Sequence, residues 1–235
     1  MRINKYLAAS GVGSRRGVEE YIKNGRVSVN GKKVTDLAFD VNENNDVVYF
    51  DGNRVSLVQT KIYFMLNKPK GCVTTVKDEH DRKTVMEFVP EKFRKLVVPV
   101  GRLDYDSEGL LLFTNDGDFV NKLTHPSNEI EKVYVAKVER ALDNSEIKLL
   151  SSGVVIDGKK TKPARVIFLG PDKNLFRYEV TIKEGRNRQV RKMFLATGRE
   201  VKFLKRVQVG SLRLGGLNRG EIKILSEAEA KKALL

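Results

Sequence analysis

Five carboxylates crowd into eighteen residues of a chain that is strongly basic elsewhere. Between Gly101 and Asp118, Asp104, Asp106, Glu108, Asp116 and Asp118 are opposed only by Arg102. The whole chain of 235 residues carries 44 Lys and Arg against 30 Asp and Glu, a formal charge of +14. Folding does not ask for that surplus, which mildly opposes compaction; a polyanionic partner is its simplest use. A surface that attracts phosphate should exclude carboxylates unless they are needed. Asp, Asn and Gly are also ordinary turn formers, and that account suffices for Asn115, Asp116, Gly117 and Asp118. It suits Asp104 less well, because Leu103 and two apolar runs surround it. Those runs predict buried strands over 97–100 and 110–113 with a loop over 101–109 between them. A carboxylate on such a loop stands on a rigid base, where catalytic groups are often found.

A second concentration of chemistry lies downstream. From Lys183 to Arg206, nine basic residues meet only Glu184 and Glu200. Asn187 is the expected cap of a helix over 187–197, with Arg186 and Arg188 beside it and Arg191 about one turn later. Cations at a helix N-terminus oppose the macrodipole by roughly 0.3–1 kcal/mol each. The arrangement therefore asks for an anion, either Asp104 or a phosphate of the polyanionic partner. The nine basic residues would make a phosphate-binding wall, with a solvated basic face as the alternative for Lys202, Lys205 and Arg206.

Elimination narrows the chemistry further. Two histidines, His80 and His125, and a single cysteine, Cys72, do not make a usual zinc site without several carboxylates. One cysteine excludes an internal disulfide and fits a reducing compartment. Neither a phosphate-binding glycine loop nor a dinucleotide fingerprint occurs, and no His adjoins a Ser or Cys in a nucleophile motif. Catalysis is expected to rest on carboxylates, tyrosines and arginines, with no metal and no cofactor. The apolar runs fall short of a membrane span, and the stretch after Met1 is too short for a signal-peptide core. A monomeric cytoplasmic protein without a membrane partner is expected.

The elements that must hold these residues fall into two groups. Over 1–58, Ile3, Tyr6 and Leu7 recur at helical spacing before Gly11 and Gly13. Ser14 is the expected cap of a second helix over 15–24, with Val18, Tyr21 and Ile22 on its apolar face. Asn30-Gly31 between 27–29 and 32–34 predicts a tight hairpin, and short strands follow near 47–50 and at Val55. Residues 1–33 carry eight basic residues against Glu19 and Glu20, a surface suited to RNA phosphates. Over 62–235, strands are expected at 62–67, 133–138 and 176–182, and helices at 119–123, 144–151 and 227–234. Alternating half-polar strands favour antiparallel pairing, giving an α+β fold with a mixed, mainly antiparallel sheet.

Residues 2–7, the Ser14-Arg15-Arg16 start and the run from Gly25 to Lys32 resemble the S4 RNA-binding domain. The resemblance implies that Arg2, Lys5, Arg15, Arg16, Arg26 and Lys32 meet RNA. Gly101-Arg102-Leu103-Asp104 with Ser107-x-Gly109-Leu110-Leu111-Leu112-Phe113-Thr114-Asn115-Asp116-Gly117 is similar to the signature of the RsuA/RluB/RluE/RluF family of pseudouridine synthases. Leu66-Asn67-Lys68-Pro69-Lys70-Gly71 upstream and the run from Glu184 to Phe194 downstream agree in order and spacing. Members of that family carry an S4 domain ahead of the catalytic domain, here over 1–58 and 62–235 with a linker at 58–61.

The resemblance implies the isomerisation of uridine to pseudouridine in ribosomal RNA, naked or in an assembling particle, without a cofactor. Asp104 is then the essential carboxylate, acting at the ribose C1′ or near C2′. Tyr134 stacks on the uracil, Arg191 pairs with Asp104, and Arg102 occupies the space the flipped nucleotide leaves. Arg186, Arg188 and Lys192 are expected at the RNA. Some family members that act on small-subunit RNA carry His at the position of Arg188, so Arg188 points to the large-subunit branch. Three rivals remain: a small-subunit synthase, a non-catalytic S4 assembly factor, and a retaining glycosidase using Asp104 and Asp106. The second leaves the acidic cluster without a purpose and the third leaves the charge without one.

Overall fold

The computed structural model describes residues 1–58 and 60–235, and packing divides the chain into two units. One comprises Met1–Lys61 with Pro90–Val97, the other Ile62–Val89 with Val98–Leu235. The segment Pro90–Val97, expected in the second unit, packs with the first instead. Gly11 shows how it is received: its φ is +79°, and a Cβ there would lie 2.9 Å from Leu96. The linker expected at 58–61 contains Gln59, which lies outside the described residues.

In the first unit, α1 (Ile3–Ala9) and α2 (Gly17–Lys23) precede β1 (Val27–Val29), β2 (Lys32–Val34), β3 (Val48–Phe50) and β4 (Asn53–Val55). The strands form an antiparallel sheet in the order β2-β1-β3-β4. Ile3, Leu7, Val18 and Ile22 meet Val27, Val29 and Val48 in its core, the helical spacing of the first four placing them on inward faces. Helix α2 starts two residues later than expected, at Gly17, whose N–H donates to the Ser14 hydroxyl at 3.0 Å. Ser14 thus serves the helix start across a turn through Arg15 and Arg16. Asn30 and Gly31 both adopt positive φ, +50° and +77°, as a two-residue hairpin turn requires.

The second unit is built on one large sheet. Its elements in chain order are β5 (Tyr63–Lys68), β6 (Val98–Val100), β7 (Glu108–Thr114), α3 (Gly117–Thr124), β8 (Lys132–Val138) and α4 (Asn144–Ser152). Then come β9 (Val155–Ile156), β10 (Lys159–Lys160), β11 (Arg165–Asp172), β12 (Leu175–Ile182), α5 (Gln189–Leu195) and β13 (Val201–Val209). The chain finishes with β14 (Leu212–Arg213), β15 (Ile222–Leu225) and α6 (Glu227–Lys231). The strand order is β11-β12-β8-β13-β7-β5-β15, with β6 on β7 and β14 on β13. Among the named strand pairings only β13 with β7 is parallel, through Lys205 opposite Glu108 and Arg206 opposite Gly109. The expected mixed, mainly antiparallel sheet is what forms.

At that seam the backbones approach so closely that a Cβ on Gly109 (φ +107°) would sit 2.1 Å from the Arg206 carbonyl oxygen. Strand β7 therefore begins at Glu108, two residues before the expected start, and the preceding loop is shorter than 101–109. Glu108 tolerates burial because Arg219 lies 3.1 Å from its carboxylate. Strands β5 and β7 are buried along their whole lengths. Tyr63, Met65, Leu110 and Leu112 pack with Phe119 and Leu123 of α3. Helix α4 is closed by a reciprocal cap between Asp143 and Glu146, and Asp116 caps α3. The short β9–β10 hairpin has no counterpart among the expected elements.

Candidate active site

The Asp104 loop is held at three successive residues. The Thr74 hydroxyl donates to the Leu103 carbonyl at 2.7 Å and accepts from the Leu103 N–H at 3.3 Å. The Gly71 N–H donates to the Tyr105 carbonyl at 2.9 Å. Between them, the Lys68 ammonium donates to the carbonyls of Asp104 and Ser107 at 3.0 Å and of Pro69 at 3.1 Å. Lys68 is fully buried, and burial lowers its pKa. Three carbonyl acceptors satisfy all three ammonium protons, which makes such burial tolerable. A lysine at the end of an apolar strand thus fixes the backbone of the candidate carboxylate.

Two arginines meet this loop from the other side. Arg188 grips Asp106 with both terminal nitrogens at 3.0 Å, and its Nη1 lies 3.9 Å from Asp104. Arg191 donates to the Val201 carbonyl at 2.6 Å and the Asp106 carbonyl at 3.0 Å, and lies 3.3 Å from the Asp106 carboxylate. Arg191 was expected on Asp104; its ion pair is with Asp106, and Arg188 stands nearer Asp104. The reason is reach: Arg191 points from the first turn of α5 into the seam and is bound to backbone on both sides. Burial would raise the Asp106 pKa, but Arg188 and Arg191 together hold it below the ordinary carboxylate range.

Asn187 does not cap α5. Arg188 occupies that position with φ +50° and no side-chain cap. The Gln189 side chain turns back to accept from the Arg186 N–H at 3.0 Å, replacing the expected cap. A non-glycine residue in the left-handed region costs of order 1–3 kcal/mol, and here it aims the guanidinium at Asp106 and Asp104.

Asp104, Arg102 and Arg188 line a cavity of about 300 Å³ that also receives Tyr134, Lys132, Arg206 and Asn187. Its apolar lining includes Leu110, Leu112, Ile182, Leu204 and Val209. Tyr134 is 9% exposed, on the β8 face that alternation shares with Lys132. Tyr63 and Tyr178, expected as core residues, are 2% and 1% exposed and hydrogen-bond Asp116 and the Leu142 N–H, respectively. Arg206, read as equally compatible with a solvated face, is 7% exposed and donates to the Leu110 carbonyl at 2.8 Å.

The second unit thus holds a carboxylate in a cavity with a buried tyrosine and flanking arginines, and both units resemble known proteins. Residues 62–196 match the RNA pseudouridylate synthase family model, and residues 1–47 match the S4 domain. The chain belongs to the RNA pseudouridylate synthase family. A crystal structure of a pseudouridylate synthase superposes with a TM-score of 0.72 at 30% identity, with 100% of both chains covered. Ribosomal large subunit pseudouridine synthase B of Bacillus subtilis is 43% identical over 98% of this chain and 94% of its own length. Dual-specificity RNA pseudouridine synthase RluF of Escherichia coli K12 is 37% identical over 97% and 77%, respectively.

The other residues expected at RNA divide into two sets in this pseudouridine synthase. Arg15, Arg16, Lys32 and Arg102 are exposed, and among the described residues no ion pair holds them. The rest have internal partners or less exposure. Arg2 donates to the Ala38 carbonyl and lies 3.6 Å from Asp40. Arg26 binds Asp51 through Nε at 2.9 Å and lies over the Tyr21 ring. Lys192 reaches Asp157 at 2.6 Å. Lys5 is half-buried on α1. Arg186 donates to the carbonyls of Ile156 and Lys159, pinning the β9–β10 hairpin beside the synthase cavity. Sequence reasoning gave Lys68 and Lys132 no role at the site and left Arg206 between a phosphate-binding wall and a solvated face.

Proposed function

We propose that the protein isomerises specific uridines of large-subunit ribosomal RNA to pseudouridine, with Asp104 as the catalytic carboxylate. The observation that carries this reading is the anchored Asp104 sharing one cavity with Tyr134, in a chain of this family. The large subunit is favoured by the B. subtilis relative, whose name specifies it, and by Arg188. A target inside a stacked helix must be extruded before its glycosidic bond can react. Arg102, exposed and lining the cavity, fills the vacated space in this reading, and the uracil stacks on Tyr134, a contact worth about 1–3 kcal/mol.

Asp104 acts on the ribose, either adding to C1′ or assisting at C2′; both routes break N1–C1′ and join C5 to C1′. A carboxylate beside an electron-poor sugar carbon is the device that retaining glycosidases use. Arg188 and Arg191 hold Asp106 and so fix the loop that carries Asp104. The exposed cations Arg15, Arg16 and Lys32 bind phosphate in the RNA or in an assembling particle. The free thiol of Cys72 fits a protein working in a reducing cytoplasm.

Carbodiimide mapping of pseudouridine across ribosomal RNA tests the reading in cells with the wild-type protein, none, or Asp104→Asn. One large-subunit stop that disappears in both deficient strains is the expected result. A stop confined to small-subunit RNA would reassign the substrate, and no change at any position would remove ribosomal RNA as the substrate.

A further inference from the structure

Two cations share the cavity with Asp104, and each lacks an ion pair among the described residues. Register sets Arg206 of β13 opposite Tyr134 of β8, and alternation puts Lys132 on the same face two residues earlier. Both side chains line the cavity. Among the described residues no ion pair joins either one to a carboxylate. Arg206 has the Leu110 carbonyl as a partner for its Nε, which leaves its positive charge uncompensated. Lys132 is half-buried, and burial together with the neighbouring Arg206 pushes its ammonium down to about 8.

Lys68 provides the contrast. It is buried more deeply, yet three carbonyls receive its protons. Lys132 has no such set, so the fold bears its desolvation without a return from its own groups. An anionic or strongly accepting ligand would supply that return. Leu110, Leu112, Ile182, Leu204 and Val209 make the walls apolar, which suits a flat ring better than a hydrated phosphate.

We propose that Lys132 and Arg206 hold the carbonyl edge of the uracil ring while that ring carries negative charge, detached from the ribose. The inference rests on the function proposed above. When N1–C1′ breaks, the electron pair stays on N1 and spreads to the ring oxygens. C5 then returns a pair to C1′, the C5 proton leaves, and N1 regains a proton from water, so the isomerisation balances with no further reactant. The ammonium and guanidinium donate hydrogen bonds to the oxygens throughout and keep their own protons. Charge that develops only during reaction is what fixed donors in a dry site stabilise best. A ring held by two donors can turn from N1 to C5 without leaving.

The test is single-turnover conversion of a large-subunit RNA transcript by the full-length protein. Lys132→Met is expected to slow pseudouridine formation by about 10²-fold or more, with RNA affinity within about twofold of wild type. Lys132→Arg, which keeps the charge, is expected to retain most of the rate. A pH series supplies the readout that a purely structural role would not move. The other titratable and charged groups facing the cavity are Arg102, Asp104, Tyr134, Arg186, Arg188 and Arg206.

The wild-type rate is expected to fall as pH rises past the Lys132 transition, and Lys132→Arg to lack that fall. Ionisation of uridine itself affects both proteins alike. Unchanged conversion by Lys132→Met, or coincident pH profiles for wild type and Lys132→Arg, would overturn the inference. Should Lys132→Met not fold, those two profiles decide alone. An active wild type with either negative result removes only this inference, whereas a wild type that makes no pseudouridine removes the proposed function as well.

Discussion

Two sets of positive side chains, one from each unit, are of the same kind and are used in opposite ways. In the first, Arg15, Arg16 and Lys32 stand in solvent, without ion pairs among the described residues. In the second, Lys68, Arg186, Arg191 and Arg206 donate to backbone carbonyls of the loops and strands around Asp104. The difference is depth. An exposed cation retains its counter-ions and can exchange them for phosphate, at an affinity that salt erodes. A buried cation has lost its water, and where carbonyls satisfy it in place, as at Lys68, it becomes part of the scaffold. Net charge alone therefore overstates the surface available to RNA.

The largest effect should come from the residue that belongs to neither class. Asp104→Asn is expected to reduce pseudouridine formation by at least about 10³-fold while leaving RNA affinity and thermal stability near wild type. Its carboxylate is partly exposed, and its ion pair with Arg188 is a single contact at 3.9 Å. A large loss of stability would instead place Asp104 in the scaffold.

Lys68→Met should act almost entirely through folding. Three carbonyls lose their donor, and denaturant titration is expected to show a loss of roughly 3–5 kcal/mol. An unchanged midpoint would mean that the clamp is dispensable and would weaken the contrast between the units. The triple variant Arg15→Ala, Arg16→Ala and Lys32→Ala should do the reverse. Stability should stay within about 0.5 kcal/mol, while the dependence of RNA affinity on salt becomes shallower by about 2 in a log–log plot. An unchanged slope would move RNA contact away from these three side chains.

The smallest effect concerns acid. Asp106 has its folded pKa lowered by Arg188 and Arg191, so its contribution is present above the unfolded carboxylate value of about 4. It is lost as pH falls through the lower folded value. Asp106→Asn should flatten the fall in unfolding free energy over that acidic window. An unaltered slope would show that the two arginines do not perturb Asp106 in solution.

The sheet type was legible because half-polar strands leave a local mark, and an acidic cluster in a basic chain drew attention to Asp104, whereas Tyr134 was singled out only by the resemblance. Arg206 also carried a mark that went unused. It is in phase with Leu204 along β13, so period-two reasoning puts both on the buried face; its charge argued the other way and misled. Lys68 stood at the end of an apolar strand, but its partners come from residues 36 and 39 positions later, and no local pattern announces them. The exchange of Asp104 for Asp106 as the partner of Arg191 depends on side-chain reach across the seam. The return of Pro90–Val97 to the first unit depends on shape at Gly11, which sequence spacing does not encode.

The parallel seam between β7 and β13 has one more consequence. Two strands of seven and nine residues share only two register pairs. Past those pairs the ladder between the two strands ends, and Leu110 and Leu112 of β7 and Val209 of β13 line the cavity beyond it. The cleft is thus a topological defect of the sheet, a place where hydrogen bonding stops early. Gly109 is its apex: lengthening the zipper would shut the wedge, and a side chain there would pry it apart.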